Sequence, residues 1–167
     1  MSNSVRIRFN SFAILALLIL ASIVFTKSQS ENYSLPAPNV DLRPGDVVKI
    51  VIEALANNDN PYPDAGIETT FNFASPANKV NTGPIERFTS MVKGPVFGGM
   101  INHKQSEFSE VVLTENRAYQ MVRLITRDDI AVHFVFRLGL QSEGEYQGMW
   151  MTEAVWPLDD GIEGIGA

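Results

Sequence analysis

The chain contains no cysteine and only two histidines, His103 and His133. The first absence excludes disulfide scaffolds, thiolate zinc sites, iron–sulfur ligation and a cysteine nucleophile. The second excludes a metal centre built from several imidazoles, and neither a metal nor another cofactor is expected. Positive charge is scarce: 13 Lys and Arg stand against 19 Asp and Glu, a net charge of −6. No G-x-S-x-G elbow, Walker loop, G-x-G-x-x-G turn or H-E-x-x-H pair occurs, so the common hydrolase, nucleotide and metalloprotease templates do not apply. What remains is 167 residues, 45% hydrophobic and 19% charged, enough apolar material for one domain with a real core.

The charge is unevenly spread. Residues 1–30 hold Arg6, Arg8, Lys27 and no acid; +3 there against −6 overall leaves −9 for the rest. A body that acidic repels phosphate backbones and anionic headgroups, so no nucleic acid is expected as a partner. Behind the two arginines runs FAILALLILASIVF, residues 12–25, interrupted only by Ser22. A basic start followed by such a run is the layout of an export or membrane segment. The run reaches about 21 Å as a helix, short of a ~30 Å hydrocarbon core. Ser28-Gln29-Ser30 offers small residues at alternate positions, without Ala-x-Ala. A cleaved signal peptide and a retained transmembrane anchor both stay open. In either case the basic end stays in the cytoplasm and the acidic body crosses the membrane, to be anchored there or released on the far side. Residues 31–43, with two prolines and no periodicity, read as a linker, and 157–167 as a flexible acidic tail.

Between them the hydrophobic period changes once. Helical spacing predicts helices over 44–57 (Val47, Val48, Val51, Leu55), 64–74 (Ile67, Phe71, Ala74, capped by Asp64) and 84–93 (Ile85, Phe88, Met91, Val92). After Gly98-Gly99 the period becomes two, predicting strands over 104–114, 117–126, 130–141 and 146–156. The third is the clearest, with Ile130, Val132, Phe134, Phe136, Leu138 and Leu140 on one face and His133, Val135 and Arg137 on the other. Trp150 and Trp156 are expected to share a face of the fourth. Short turns between strands make an antiparallel four-stranded meander, so the fold class is α+β, with N-terminal helices packed on a curved sheet over 44–156 and an apolar helix ahead of them. The stripe of the third strand is too apolar to face water, so the first helix must cover it.

This order resembles the nuclear transport factor 2-like superfamily of cone-shaped folds. Phe73-Ala74-Ser75-Pro76, Thr82-Gly83-Pro84, Glu86-Arg87-Phe88 and Met91, with Gly148-Met149-Trp150-Met151-Thr152 near the end, resemble an uncharacterised domain-of-unknown-function family, number 4864. Asn102-His103 is similar to the version found in photosynthetic organisms, while other relatives are exported bacterial proteins. The resemblance covers about residues 44–156. It implies a cone with a pocket at its open end, in the periplasm or thylakoid lumen. It implies no catalytic set and no cofactor.

Candidate site residues follow from position and chemistry. His103, just before the sheet, is a candidate base or ligand contact at the cone mouth, or a histidine tied to a loop carbonyl. Arg87 is a candidate for an anionic group in the pocket, or a strut from the third helix to the 75–81 loop. Tyr119, Phe136 and Trp150 are candidate pocket walls, although aromatics at strand spacing also build cores. His133 and Arg137 mark the outer sheet face, where cones of this superfamily often pair, as a surface for a homodimer or protein partner. Three functions are compatible with this: a non-catalytic exported module binding a small apolar ligand or an assembly partner, an isomerase- or hydrolase-like enzyme using His103, and an accessory subunit of a membrane complex.

Overall fold

The computed structural model describes residues 34–158, so the apolar run at 12–25 and the tail beyond 158 lie outside the described residues. Among those described, no helix is long and apolar enough to cross a membrane. Among the described residues, 35–158 belong to one unit. Its order is α1 (Pro44–Ala56), α2 (Ala65–Asn72), α3 (Pro76–Thr82), α4 (Ile85–Val92), a 3-10 turn (Gly98–Met100), then β1 (Gln105–Phe108), β2 (Val112–Thr114), β3 (Arg117–Ile125), β4 (Ala131–Leu140) and β5 (Trp150–Leu158).

Helix α1 starts where its chemistry dictates. Pro44 occupies the first turn, and the Asp46 carboxylate accepts hydrogen bonds from the Arg43 backbone N–H (3.0 Å) and from Arg43 Nε (3.0 Å). The Arg43 side chain and N–H hold the Asp46 carboxyl below its ordinary range. Val47, Val48, Val51, Ile52 and Leu55 form its buried stripe. Helix α2 differs from expectation at its cap. Asp64 sits at the N-cap in a left-handed conformation (φ 66°), but its side chain caps nothing. The buried Asn58 does that work from a distance: its Oδ1 accepts the Ile67 N–H (3.2 Å), and its carbonyl accepts the Gly66 N–H (2.9 Å). At Gly66 any Cβ would run into the Ala54 carbonyl, so glycine sets how closely α2 approaches α1.

Helix α3 was expected as a loop. It buries no side chain, so it has no apolar stripe to betray it. It is set instead by Pro76 in the first turn and by Ser75, whose hydroxyl accepts the Asn78 N–H (3.2 Å). The segment before it is stitched to the sheet: Ser75 N–H donates to the Thr152 carbonyl and Thr152 N–H to the Phe73 carbonyl, both at 2.9 Å.

The sheet is open and antiparallel, in order β1–β3–β4–β5, with β2 also on β3. It has five strands because the expected first strand is broken. β1 pairs with the far half of β3 (Phe108 opposite Val122) and β2 with the near half (Val112 opposite Tyr119), while 109–111 leave the ladder. The β4–β5 register carries a bulge: Arg137 faces Ala154, but Leu138 faces Thr152, leaving Glu153 over. The bulge overturns the expected alternation along β5. Trp150 pairs with Leu140 and Trp156 with Val135, so the two tryptophans lie on opposite faces. The expected tail also begins later, since Pro157 and Leu158 belong to β5.

Val122, Leu124, Phe134, Phe136 and Leu138 are buried in one cluster with the α1 stripe. The β4 stripe is covered in its middle only; Ile130, just ahead of the strand, is 59% exposed. The opposite face carries Tyr119, Met121, Arg123, His133, Val135 and Arg137 in register.

Candidate functional site

Behind the middle of the stripe the core does not close. A cavity of about 240 Å³ lies between the helices and strands β4 and β5. Val51 and Leu55 of α1, Phe88 of α4, Phe136 of β4 and Val155 of β5 give it an apolar wall. Asn78, Asn81 and Thr82 of α3 line it as well, together with Met91.

The bulge gives this wall its one unusual member. With regular alternation, residues 152 and 155 would point to opposite faces. The extra residue at Glu153 puts Thr152 opposite Leu138 and Val155 opposite Phe136, so both line the cavity. The Glu153 carboxylate goes to the other face, 3.1 Å from Arg137 Nε and 3.4 Å from Arg117 Nε. The ion pair with Arg137 is close, although Nε is not aligned for a hydrogen bond. Gly139 makes room for it, since a Cβ there would meet the Glu153 carboxylate.

The polar wall atoms are almost all spent within the protein. Thr70 Oγ1 donates to the Gly66 carbonyl (2.8 Å) and Thr82 Oγ1 to the Asn78 carbonyl (2.8 Å). Asn78 Nδ2 donates to the Thr152 carbonyl (3.1 Å). Asn81 is exposed and its amide makes no such bond among the described residues, and the buried exception is Thr152 Oγ1, without a hydrogen-bond partner in a residue only 5% exposed. A hydroxyl left unpaired inside a protein costs on the order of 1–3 kcal/mol.

A second, wider cleft of about 600 Å³ lies past the C-terminus of α1 and at the start of α2, lined by Asn58, Asp59, Asp64, Lys93, Asn102 and Asp128 among others. Two of its charges, Lys93 and Asp64, are paired, and Arg127 lines it as well. Lys93 Nζ donates to Asp64 at 2.6 Å and Asn58 Nδ2 to the same carboxylate at 3.1 Å, which together hold Asp64 below the usual carboxylate range. Among the described residues no three His, Asp or Glu side chains are grouped to hold a metal ion. Elsewhere Lys79 is clamped between the rings of Phe71 (5.5 Å) and Tyr146 (5.2 Å), and burial lowers its pKa.

The residues singled out by sequence are not gathered at one place. Phe136 is fully buried and lines the 240 Å³ cavity. Trp150 packs half-buried against the core but is not among that cavity's lining residues. Tyr119 lies on the outer sheet face, opposite Arg137. Arg87 is exposed on α4 and makes none of the expected carbonyl hydrogen bonds to the 75–81 segment. His103 is 8% exposed, and its Nδ1 lies 2.8 Å from the Met100 carbonyl. A carbonyl only accepts, so Nδ1 carries the hydrogen and the ring is tied to the loop before the sheet. His103 lines neither cavity described above and meets no carboxylate. His133 and Arg137 are half-buried on the outer face. Thr152 was missed as a site residue; the signal available was a threonine one residue before a charged Glu153 in an otherwise apolar strand. Compared with models of known protein families, with curated proteins and with solved structures, the chain matches none.

Proposed function

We propose that this chain is an exported or membrane-tethered, non-catalytic module that takes up a small apolar molecule in the cavity between its helices and β4–β5. The fold is read as a cone of the nuclear transport factor 2-like kind, within the uncharacterised family 4864, carried to the periplasm or thylakoid lumen by the apolar segment at 12–25. The observation that carries the reading is the cavity itself: apolar walls from Val51, Leu55, Phe88, Phe136 and Val155, with Glu153 as the one ionisable lining residue and its carboxylate paired with Arg137 and Arg117. Apolar walls with very few polar atoms suit an apolar guest. The isomerase- or hydrolase-like alternative draws less support, because His103 is tied to the Met100 carbonyl away from the cavity. An accessory subunit of a membrane complex is the further alternative, and it requires the N-terminal segment to be retained.

The test is purification of the full chain from native membranes, with the mature N-terminal mass and an organic extract analysed from the same sample. A small apolar molecule that is extracted from the wild type and lost from Met91→Trp, which fills the cavity from its edge, is the expected result. An extract unchanged by that variant overturns ligand uptake, and a mature chain recovered from the cytoplasm overturns export.

A second reading concerns the outer sheet face, which we propose as a surface for a second copy of the chain. Tyr119, Met121 and Val135 lend it apolar area, with Met121 40% exposed. The same face carries both signs of charge, Arg123 with Glu107 (3.3 Å) and Arg137 with Glu153. A two-fold partner meets its own pattern, so a face of both signs is self-complementary.

A further inference from the structure

We infer that the cavity selects a neutral hydrocarbon carrying a single oxygen, an alcohol or a ketone, held by a hydrogen bond to Thr152 Oγ1. The inference builds on the proposal that the cavity takes up an apolar molecule, and it adds the chemistry that such a molecule must carry. Three observations combine. First, Thr152 is 95% buried on the residue measure (5% exposed), and its hydroxyl has no partner. Its backbone, by contrast, is fully engaged: the N–H by Phe73, the carbonyl by Ser75 N–H and Asn78 Nδ2. The strand is therefore fixed at this residue, and only rotation about χ1 can redirect the hydroxyl. Second, the other wall hydroxyls, Thr70 and Thr82, already donate to main-chain carbonyls of their own helices. Among the buried polar atoms of the wall, Thr152 Oγ1 is the one left unpaired, which matches one polar atom on a guest; Asn81, also on the wall, is exposed to water. A hydroxyl both donates and accepts, so a ketone and an alcohol are served alike. Third, the guest is uncharged. Glu153 is among the lining residues, but its carboxylate is drawn to the opposite face by Arg117 and Arg137, and no Lys or Arg lines the cavity. A bound ion would lie unpaired in an apolar space, at a cost far above that of an unpaired hydroxyl. The volume, about 240 Å³, is below the ~300–1,000 Å³ of sites for drug-sized ligands, so the guest is compact.

The experiment uses the full chain with four compact probes of one shape: adamantane, adamantanol, adamantanone and adamantanecarboxylate. Binding is read from the methyl signals of Met91 and Met100, both of which line the cavity. In the wild type the alcohol and ketone bind and the carboxylate does not. Thr152→Val keeps the side-chain shape and removes the hydroxyl; it moves the affinity ratio of adamantanol to adamantane toward the hydrocarbon by about tenfold. Thr152→Ser, which keeps the hydroxyl, keeps the wild-type ratio. Thr152→Ala gives the same reading as Thr152→Val should the latter fail to fold. An unchanged ratio in the hydroxyl-free variant, with hydrocarbon still binding, overturns the anchor and leaves the apolar pocket standing. Carboxylate binding as tight as the alcohol's overturns neutrality. Absence of any shift at Met91 and Met100 with all four probes overturns both the pocket and its anchor.

Discussion

Asn58 is the side chain on which the helical half turns. It is 2% exposed; its Oδ1 accepts the Ile67 N–H, its Nδ2 donates to Asp59 and Asp64, and its own N–H donates to Asn102 Oδ1. Asn58→Ala strips the start of α2 of its cap and leaves the Asp64 carboxylate one donor short. The expected loss is about 3 kcal/mol, read as a lower midpoint in urea unfolding. Asp64 carries a pH signature. Lys93, and then Asn58, hold its folded-state pKa below the ordinary value. A depressed carboxyl contributes stability above the unfolded value of about 3.9 and loses it as pH falls below that value. Asp64→Asn should therefore cost at most about 1 kcal/mol at neutral pH, because Lys93 is half-exposed. The gap to the wild type should close on acidification through that window; a constant gap contradicts the assignment. Neither residue was readable in these roles. Asp64 was expected as the cap because its type and position fit, and sequence does not reveal that a lysine 29 positions on takes the carboxylate instead. Phe136 was readable as a cavity wall because a period-two apolar stripe shows which way it points. Thr152 was not, because its direction depends on a bulge.

Helices and strands were legible where they bury a stripe and illegible where they do not. Helix α1 and strands β3 and β4 follow the expected spans almost to the residue because one face of each is sealed against the other layer. Helix α3 buries nothing, and its only written signals are Ser75 and Pro76. If that cap sets the helix, Ser75→Ala should destabilise the protein by about 1 kcal/mol and raise amide exchange at Asn78. Unchanged exchange there would mean that the stitch to Thr152 alone holds the segment. Between α1 and α2 the determinant is a single missing atom. A Gly66→Ala methyl meets the Ala54 carbonyl, backbone that cannot step aside, so α2 must move. The expected cost is about 2 kcal/mol in thermal or urea unfolding, against the small gain that alanine gives in an open helix. The break at 109–111 and the bulge at Glu153 were the least legible features. Both come from how one strand fits its neighbour, and a single strand's pattern does not contain its neighbour's register.

The sheet divides the molecule into two unlike halves, and that division says where an interface belongs. Helices and the buried stripe take one side, and the cavity lies within that layer. The other side keeps Tyr119, Met121, Val135 and Arg137 at partial exposure. If a second copy sits there, the face must tolerate no large charge at its centre. Met121 is central by register, opposite Val135 on β4 and flanked along β3 by Tyr119 and Arg123. Met121→Arg leaves the stripe and the cavity untouched, because Met121 points away from both. It adds a positive charge between Arg123 and Arg137, where a two-fold partner would bring the same arginines close. The expected outcome is a fall from twice the chain mass to the single-chain mass by light scattering, with the unfolding midpoint of the isolated chain changed little. Met121→Glu sharpens the test, since a negative charge among the same arginines should weaken pairing less than a positive one. A wild type that scatters as a single chain across the micromolar range excludes self-association through this face. Equal loss from both variants would mean that apolar contact at Met121, rather than charge, governs the pairing.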